Sequence, residues 1–166
     1  MPSNSDHPLA AEIVAMLTAR RQTVAVAESL TGGLIAAAIT EVPGASVVFR
    51  GGVVAYATDT KHSLLDVDDQ LLAEAGAVDA RVATEMADGV RDRFTATFGL
   101  ASTGVAGPDP QDGKPVGTVF VAVSGPAGSE VVAPRLAGDR ADIRRAAVAQ
   151  ALELLRRTLV RAGSDS

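Results

Sequence analysis

The sequence contains few of the residues from which metal sites are built. Its 166 residues include no cysteine, no tryptophan and only two histidines, His7 and His62. Without thiolates, and with too few imidazoles for a zinc cage, we expect no metal and no cofactor. The cluster Asp66, Asp68 and Asp69 lacks the ligand count and the glycine of a calcium loop. We interpret it as a solvated turn that caps a helix.

The chain is also acidic and poor in aromatic residues. Its formal net charge is −5, and aromatic side chains make up 3% of the residues. Attraction to nucleic acid needs clustered positive charge, and base stacking needs aromatic rings, so we expect no nucleic-acid partner. An anionic ligand would have to be held by a local site.

Long hydrophobic runs are missing as well. Hydrophobic residues make up 47% of the chain, enough for a substantial core. No run approaches the length of about 20 apolar residues that a membrane-spanning helix needs. Residues 1–7 lack the basic and apolar regions of a signal peptide. We therefore expect one cytoplasmic domain over residues 1–166, with no membrane contact and an ordered core of about 6–161.

Hydrophobic periodicity predicts an alternation of helices and strands. A glycine pair at 51–52 interrupts one strand and indicates a bulge or the close approach of another backbone. The order of elements predicts a single-domain α/β fold, a three-layer α/β/α sandwich with a mixed sheet. The predicted helices cover 7–21, 30–41, 58–65, 69–75, 79–94 and 139–160, and the predicted strands cover 23–27, 47–57, 98–102, 116–124 and 130–136.

One segment places a hydroxyl where an apolar strand gives way to a helix. Ser29 follows the first strand, and Thr31, Gly32 and Gly33 come after Leu30. Free N–H groups of these three residues at the start of the helix could stabilise an oxyanion or hold a phosphate. The alternative is a Ser/Thr cap followed by a glycine turn, which is a common way to begin a helix.

Lysine is scarce in this arginine-rich chain. Thirteen of the fifteen cationic side chains are arginine, which leaves Lys61 and Lys114. A lysine can lose its proton where its surroundings disfavour the cation, whereas an arginine effectively cannot. Both lysines are therefore candidates for chemistry, with an incidental surface position as the alternative for each.

A serine nucleophile needs a base, and the histidines are poorly placed for a Ser-His-Asp triad. Lysine is the known alternative partner of serine. If Asp59 caps the helix 58–65, Lys61 falls in its first turn, where the helix dipole disfavours an ammonium ion. Burial would act in the same direction, so a neutral Lys61 could accept the proton of Ser29.

Two further features fit a site at this edge of the sheet. The only tyrosine, Tyr56, ends the long second strand and could hold the Ser29–Lys61 network or donate to an oxyanion. A second glycine turn, 103–107, ends the strand 98–102 and is expected to line the same edge, where α/β proteins bind ligands. The alternative for this turn is an ordinary passage from strand to loop.

At these residues the chain resembles the carboxy-terminal domain of CinA-like proteins, which also occurs alone as nicotinamide-nucleotide amidohydrolase. The resemblance covers nearly the whole chain. Five motifs match in order and spacing, namely AESLTGG at 27–33, GGVVAY at 51–56 with Lys61, TGVAGP at 103–108, KPVGTV at 114–119 and GDR at 138–140.

The resemblance implies metal-free hydrolysis of the amide of nicotinamide mononucleotide to nicotinate mononucleotide and ammonia. Ser29 is then the nucleophile, Lys61 its general base, and Tyr56 a third member that orients or stabilises. The expected partners are a small nucleotide substrate and further copies of the chain, with a dimer favoured. The other implied substrate contacts are Thr31, Gly32, Gly33, Thr103, Gly104, Gly107 and Arg140.

Some of these positions keep a second interpretation. Arg140 is the candidate for the substrate phosphate, with a surface salt bridge to Asp139 or Asp142 as its alternative. Lys114 could close its loop over the ligand or stand exposed at the tip of that loop. The whole domain could be a nucleotide-binding or assembly module without turnover, or an amidase for another small amide.

The chain departs from the family pattern at two places. Leu30 stands where the family more often has cysteine, which alters packing beside Ser29 without removing the hydroxyl. The loop 109–112 is stiffer and more acidic than the glycine-rich loop of the family, which bears on phosphate affinity and substrate choice. We expect no pyrophosphatase activity, because that belongs to the preceding domain of longer CinA proteins.

Overall fold

A mixed sheet lies between two layers of helices in the computed structural model, which describes residues 8–164. Within that range the sheet has the order β2-β1-β3-β4-β5. The strands are β1 Val24–Glu28, β2 Phe49–Val54, β3 Phe98–Gly104, β4 Val119–Gly125 and β5 Gly128–Val132. The helices are α1 Pro8–Arg20, α2 Leu34–Thr40, α3 Thr58–Leu65, α4 Asp69–Ala75, α5 Ala80–Arg93 and α6 Arg140–Ser164.

The predicted three-layer α/β/α fold with a mixed sheet is confirmed. Strand β1 runs parallel to both β2 and β3, while β3, β4 and β5 are antiparallel. The carboxyl ends of β1, β2 and β3 therefore meet at one edge of the sheet. The residues that follow these three ends carry most of the predicted site.

Strand β1 is buried along its whole length, as expected of a central parallel strand. Its side chains alternate between two cores. Val24 and Val26 pack in the core formed with α1, α2 and α6. Ala25 and Ala27 pack in the core formed with α3, α4 and α5.

The predicted elements are present, with shifts at their ends. The bulge predicted at 51–52 occurs one residue earlier, because Val24 pairs with Phe49 and Ala25 with Gly51, so that Arg50 is the extra residue. The hairpin is tighter than predicted, since Gly125 pairs directly with Gly128. Helix α6 extends beyond the predicted residue 160. The predicted start of the first helix at His7 lies outside the described residues.

The caps of the helices explain several of these boundaries. Asp68 accepts hydrogen bonds from the first amides of α4, and Asp79 caps α5 through the amide of Arg81. The turn interpreted at the aspartate cluster is thus confirmed for Asp68.

In the described part of the chain, no helix is long and apolar enough to cross a membrane.

Gly89 allows α5 to pack closely on α3. A substitution that adds a single methyl group at this position tests the contact. A Cβ at Gly89 would collide with the backbone carbonyl oxygen of Leu65. Gly89→Ala should therefore lower the free energy of unfolding in urea by about 1–3 kcal/mol, although alanine is the better helix former.

Gly163→Ala is the matched control on α6. Its Cβ would meet only the end of the flexible Arg20 side chain, so the change should stay within about 0.5 kcal/mol. Equal stability of Gly89→Ala and the wild type would contradict the close packing of α5 on α3.

Candidate active site

Ser29 and Lys61 meet at the carboxyl edge of the parallel strands. Ser29 directly follows β1, and Lys61 is presented by α3, which follows β2. The Lys61 Nζ donates a hydrogen bond to Ser29 Oγ over 3.0 Å. Lys61 is fully buried, whereas Ser29 is 8% exposed. The structure thus brings the predicted nucleophile and the predicted base into direct contact.

Two backbone carbonyls complete the surroundings of the amine. Lys61 Nζ donates to the oxygen of Ala55 over 2.7 Å and to that of Tyr56 over 3.4 Å. Burial lowers the pKa of Lys61 from its ordinary 10.5 to about 8, against the opposing effect of the Asp112 carboxylate. An amine with this pKa is partly neutral near physiological pH.

This arrangement suits a neutral amine in particular. An uncharged lysine has two N–H donors and one lone pair, whereas an ammonium ion has three donors and no acceptor. Ala55 and Tyr56 can take the two N–H groups, which leaves the lone pair facing Ser29. In that state the Ser29 hydroxyl becomes the donor to Nζ.

The predicted cap of α3 is wrong. Ala57 occupies the N-cap position without a side-chain hydrogen bond, and Asp59 lies inside the first turn. Lys61 is still close to the positive end of the helix, as the fourth residue of α3. Burial is the main cause that lowers its pKa.

The turn after Ser29 is held by backbone hydrogen bonds. Ser29 N donates to Ser102 O on β3, and Gly32 N donates back to Ser29 O, both over 3.0 Å. Helix α2 begins at Leu34 rather than at the predicted residue 30. The positive φ angles of Gly32 and Gly33, 58° and 107°, delay its start.

Glu28 takes the amides at the start of α2. Its carboxylate is buried and accepts from Ile35 N over 2.8 Å and from Ala36 N over 3.1 Å. These helix-terminal donors are therefore not available to a ligand. Sequence reasoning missed this role of Glu28, although a single acidic residue at the end of an apolar strand was a usable signal.

The predicted substrate contacts Thr31, Gly32 and Gly33 do not line the pocket that opens beside Ser29. The Thr31 hydroxyl is fully buried against Ser102 Oγ at 2.7 Å. The amide of Gly32 is engaged with Ser29. The amides of Leu30, Thr31 and Gly33 have no protein acceptor within the described chain, and they are the free donors of this turn.

A pocket of about 140 Å³ opens beside Ser29. It is smaller than the range of about 300–1,000 Å³ that is usual for whole ligands, so it fits one end of a ligand. Five other residues of the predicted site line it, namely Tyr56, Thr103, Gly104, Gly107 and Arg140. Sequence reasoning missed Ala77, Val78 and Gln111, which form part of the same wall.

Tyr56 and Arg140 join at the rim of this pocket. Arg140 Nη2 donates to the Tyr56 hydroxyl over 3.0 Å, and Nη1 donates to Gly107 O over 2.7 Å. Tyr56 is 57% exposed, and it reaches Lys61 through its backbone carbonyl rather than its phenol. Among the described residues Arg140 forms no salt bridge with Asp139 or Asp142, and Asp142 pairs with Arg145 instead.

The loop 108–115 is fastened to the wall of the pocket. Lys114 Nζ donates to Val78 O over 2.6 Å, and Asp112 Oδ2 accepts from Ala77 N over 3.1 Å. The Thr103 hydroxyl binds the neighbouring Ala77 O over 2.7 Å. Lys114 is thus a partly buried anchor of the loop, and its exposed alternative is wrong.

Comparison with known proteins agrees with this fold. The family model described as the CinA C-terminal domain matches residues 6–159. The chain belongs to the CinA C-terminal domain family. A CinA-like protein of Frankia casuarinae is 54% identical over 155 residues, which cover 93% of this chain and 36% of that protein. Another CinA-like protein, from Gloeobacter violaceus, is 48% identical and is covered to 36% as well.

Solved structures of the family have the same fold. The competence/damage-inducible protein CihA of Agrobacterium tumefaciens has a TM-score of 0.89 at 38% identity, covering 95% of this chain and 97% of its own. A CinA superfamily protein of Klebsiella pneumoniae reaches 0.90 at 31% identity, covering 96% and 99%. The chain spans about a third of the length of its curated CinA-like relatives, and nearly all of these solved chains.

The Glu28 cap should contribute strongly to stability because it is buried. Glu28→Ala removes acceptors from two amides of α2, so we expect the free energy of unfolding to fall by about 2–4 kcal/mol. Asp68→Ala, which removes the exposed cap of α4, should cost only about 0.5–2 kcal/mol. Urea unfolding of both variants measures the difference, and equal losses would contradict a special role for the buried carboxylate.

Proposed function

We propose that this domain hydrolyses the carboxamide of nicotinamide mononucleotide to nicotinate mononucleotide and ammonia, using Ser29 and Lys61. The contact of 3.0 Å between Lys61 Nζ and Ser29 Oγ carries the proposal, together with a Lys61 pKa lowered to about 8. A buried lysine whose pKa lies near neutral pH, in contact with a serine hydroxyl, is a typical arrangement of a base and its nucleophile. The choice of substrate is supported by the resemblance of the five motifs to the family.

The first half of the reaction is acyl transfer to Ser29. Neutral Lys61 takes the hydroxyl proton while Ser29 Oγ bonds to the carboxamide carbon. We place the resulting oxyanion at the turn after Ser29, where the amides of Leu30, which lines the pocket, and of Thr31 have no protein acceptor in the described chain. Lys61 then gives its proton to the departing nitrogen, the C–N bond breaks, and ammonia leaves an ester on Ser29.

The second half releases the acid. Lys61, again neutral, takes a proton from a water molecule that attacks the ester carbon. The C–O bond to Ser29 breaks, Ser29 recovers its proton from Lys61, and nicotinate mononucleotide leaves as the acid, which then loses its proton to solvent. The same lysine thus serves as base and acid in both halves.

The shape of the pocket supports a substrate with a compact amide end. A volume of about 140 Å³ fits the aromatic amide, and the remainder of a nucleotide would extend across the rim. There Arg140 presents a guanidinium held by Gly107 and Tyr56. Arginine is well suited to bind phosphate through paired N–H donors.

Ser29→Ala and Lys61→Arg should each reduce ammonia release from nicotinamide mononucleotide by at least about a thousandfold. Lys61→Arg is the sharper variant, because it keeps the charge but cannot supply a neutral base. Ser63→Ala, an exposed serine on the same helix as Lys61, is the control and should be fully active.

A coupled ammonia assay on purified, folded protein measures these rates. Normal turnover by Ser29→Ala would end the proposal. Stoichiometric binding of the nucleotide by the wild type without ammonia would favour a binding module. Release of ammonia only from other compounds in a panel of small amides would favour a different amidase.

The pKa of Lys61 predicts the pH dependence of the reaction. Below about pH 8 the amine is protonated and cannot act as a base, so kcat/KM should rise about tenfold per pH unit and level off above about 8. Asp112→Asn removes the charge that raises this pKa, and should move the rising limb to lower pH. A profile that is flat from about pH 6.5 to 9, or a limb that Asp112→Asn does not move, would contradict this assignment.

A further inference from the structure

The turn that carries Ser29 has a peptide group that could face either of two ways. Gly32 N donates to Ser29 O over 3.0 Å, which closes a β-turn with Leu30 and Thr31 at its centre. Both central residues have negative φ, as in a type I turn. A type II turn differs by a flip of the peptide between Leu30 and Thr31. The orientation of this peptide decides where the Thr31 amide points.

Arg144 of α6 binds the carbonyl of this peptide and that of the next one. Its Nε donates to Leu30 O over 2.9 Å, and its Nη2 donates to Thr31 O over 3.3 Å. The side chain is half-buried, and it pairs with no carboxylate in the described part of the chain. A guanidinium can hold two successive carbonyls in this way, whereas a lysine offers only a point charge.

Gly32 makes room for the guanidinium. A Cβ at this position would lie 3.2 Å from Arg144 Nη2, which is too tight for an unshifted contact. The glycine of the motif therefore allows the cation to approach the turn.

We propose that Arg144 is a positioning residue, which aims the Thr31 amide at the oxyanion formed on Ser29. In a planar trans peptide the N–H points opposite to the C=O, so the Thr31 amide points away from Arg144. That amide has no protein acceptor in the described chain. The positive charge of the Arg144 guanidinium beside Leu30 O also polarises the peptide and strengthens its N–H as a donor. The inference rests on the proposed role of Ser29 as nucleophile.

A fluorophosphonate probe tests this role without assuming any natural substrate. Ser29 Oγ bonds to phosphorus, Lys61 takes the hydroxyl proton, and fluoride leaves, while the phosphoryl oxygen occupies the place of the oxyanion. Arg144→Met should slow labelling by about ten- to hundredfold. Arg144→Lys, with one donor group, should fall between Arg144→Met and the wild type.

Two controls separate positioning from general effects. Arg145→Met removes the same charge one residue along α6, where the side chain pairs with Asp142 on the surface, and it should label within about twofold of the wild type. Millimolar guanidinium should restore part of the rate to Arg144→Ala but not to Ser29→Ala. With nicotinamide mononucleotide, Arg144→Met should lower kcat by a similar factor and change KM by less than about threefold.

The outcomes distinguish this inference from the proposed function. Unchanged labelling by folded Arg144→Met overturns it. If Arg144→Met does not fold, wild-type labelling rates in folded Arg144→Lys overturn it as well. Labelling of Ser29 that depends on Arg144, without any release of ammonia from the nucleotide, supports Arg144 and defeats the proposed substrate. Failure of the probe to label wild-type Ser29 defeats the nucleophile and this inference together.

Discussion

The site depends on the burial of one amine. Lys61 is fully enclosed, and its only described hydrogen-bond acceptors are the Ser29 hydroxyl and the carbonyls of Ala55 and Tyr56. No carboxylate among residues 8–164 pairs with it directly, so desolvation prevails over the charge of Asp112 and lowers its pKa to about 8. Had an acid group reached Nζ, the lysine would stay protonated and would be a structural cation rather than a base.

Two charged side chains, Glu28 and Arg144, bind backbone groups around the Ser29 turn and so decide which amides stay free. Glu28 occupies the first amides of α2 and removes the helix terminus as an anion site. Arg144 occupies two carbonyls of the turn. The amides of Leu30 and Thr31 are left without a protein acceptor in the described chain, one or two residues from the nucleophile. The oxyanion donors of the proposed mechanism therefore belong to the turn and not to the helix.

Much of this could be predicted from the sequence, because it is encoded locally. The apolar run of β1, the capping residues Asp68 and Asp79, and the rarity of lysine are visible in the chain itself. The boundaries were less accurate where tertiary pairing sets them, as at Arg50, whose bulge exists only in register with β1. The cap assigned to Asp59 was wrong because Ala57 takes the N-cap position in the folded loop.

The sequence by itself determined the fold class and the identity of the candidate nucleophile and base, since periodicity and residue type are local properties. Only the tertiary structure decided how they meet. Parallel pairing of β1 with β2 brings Lys61 to within 3.0 Å of Ser29 across 32 positions of sequence. The packing of α6 brings Arg144 to the turn over 114 positions. Such contacts depend on strand order and helix packing, which no short pattern specifies.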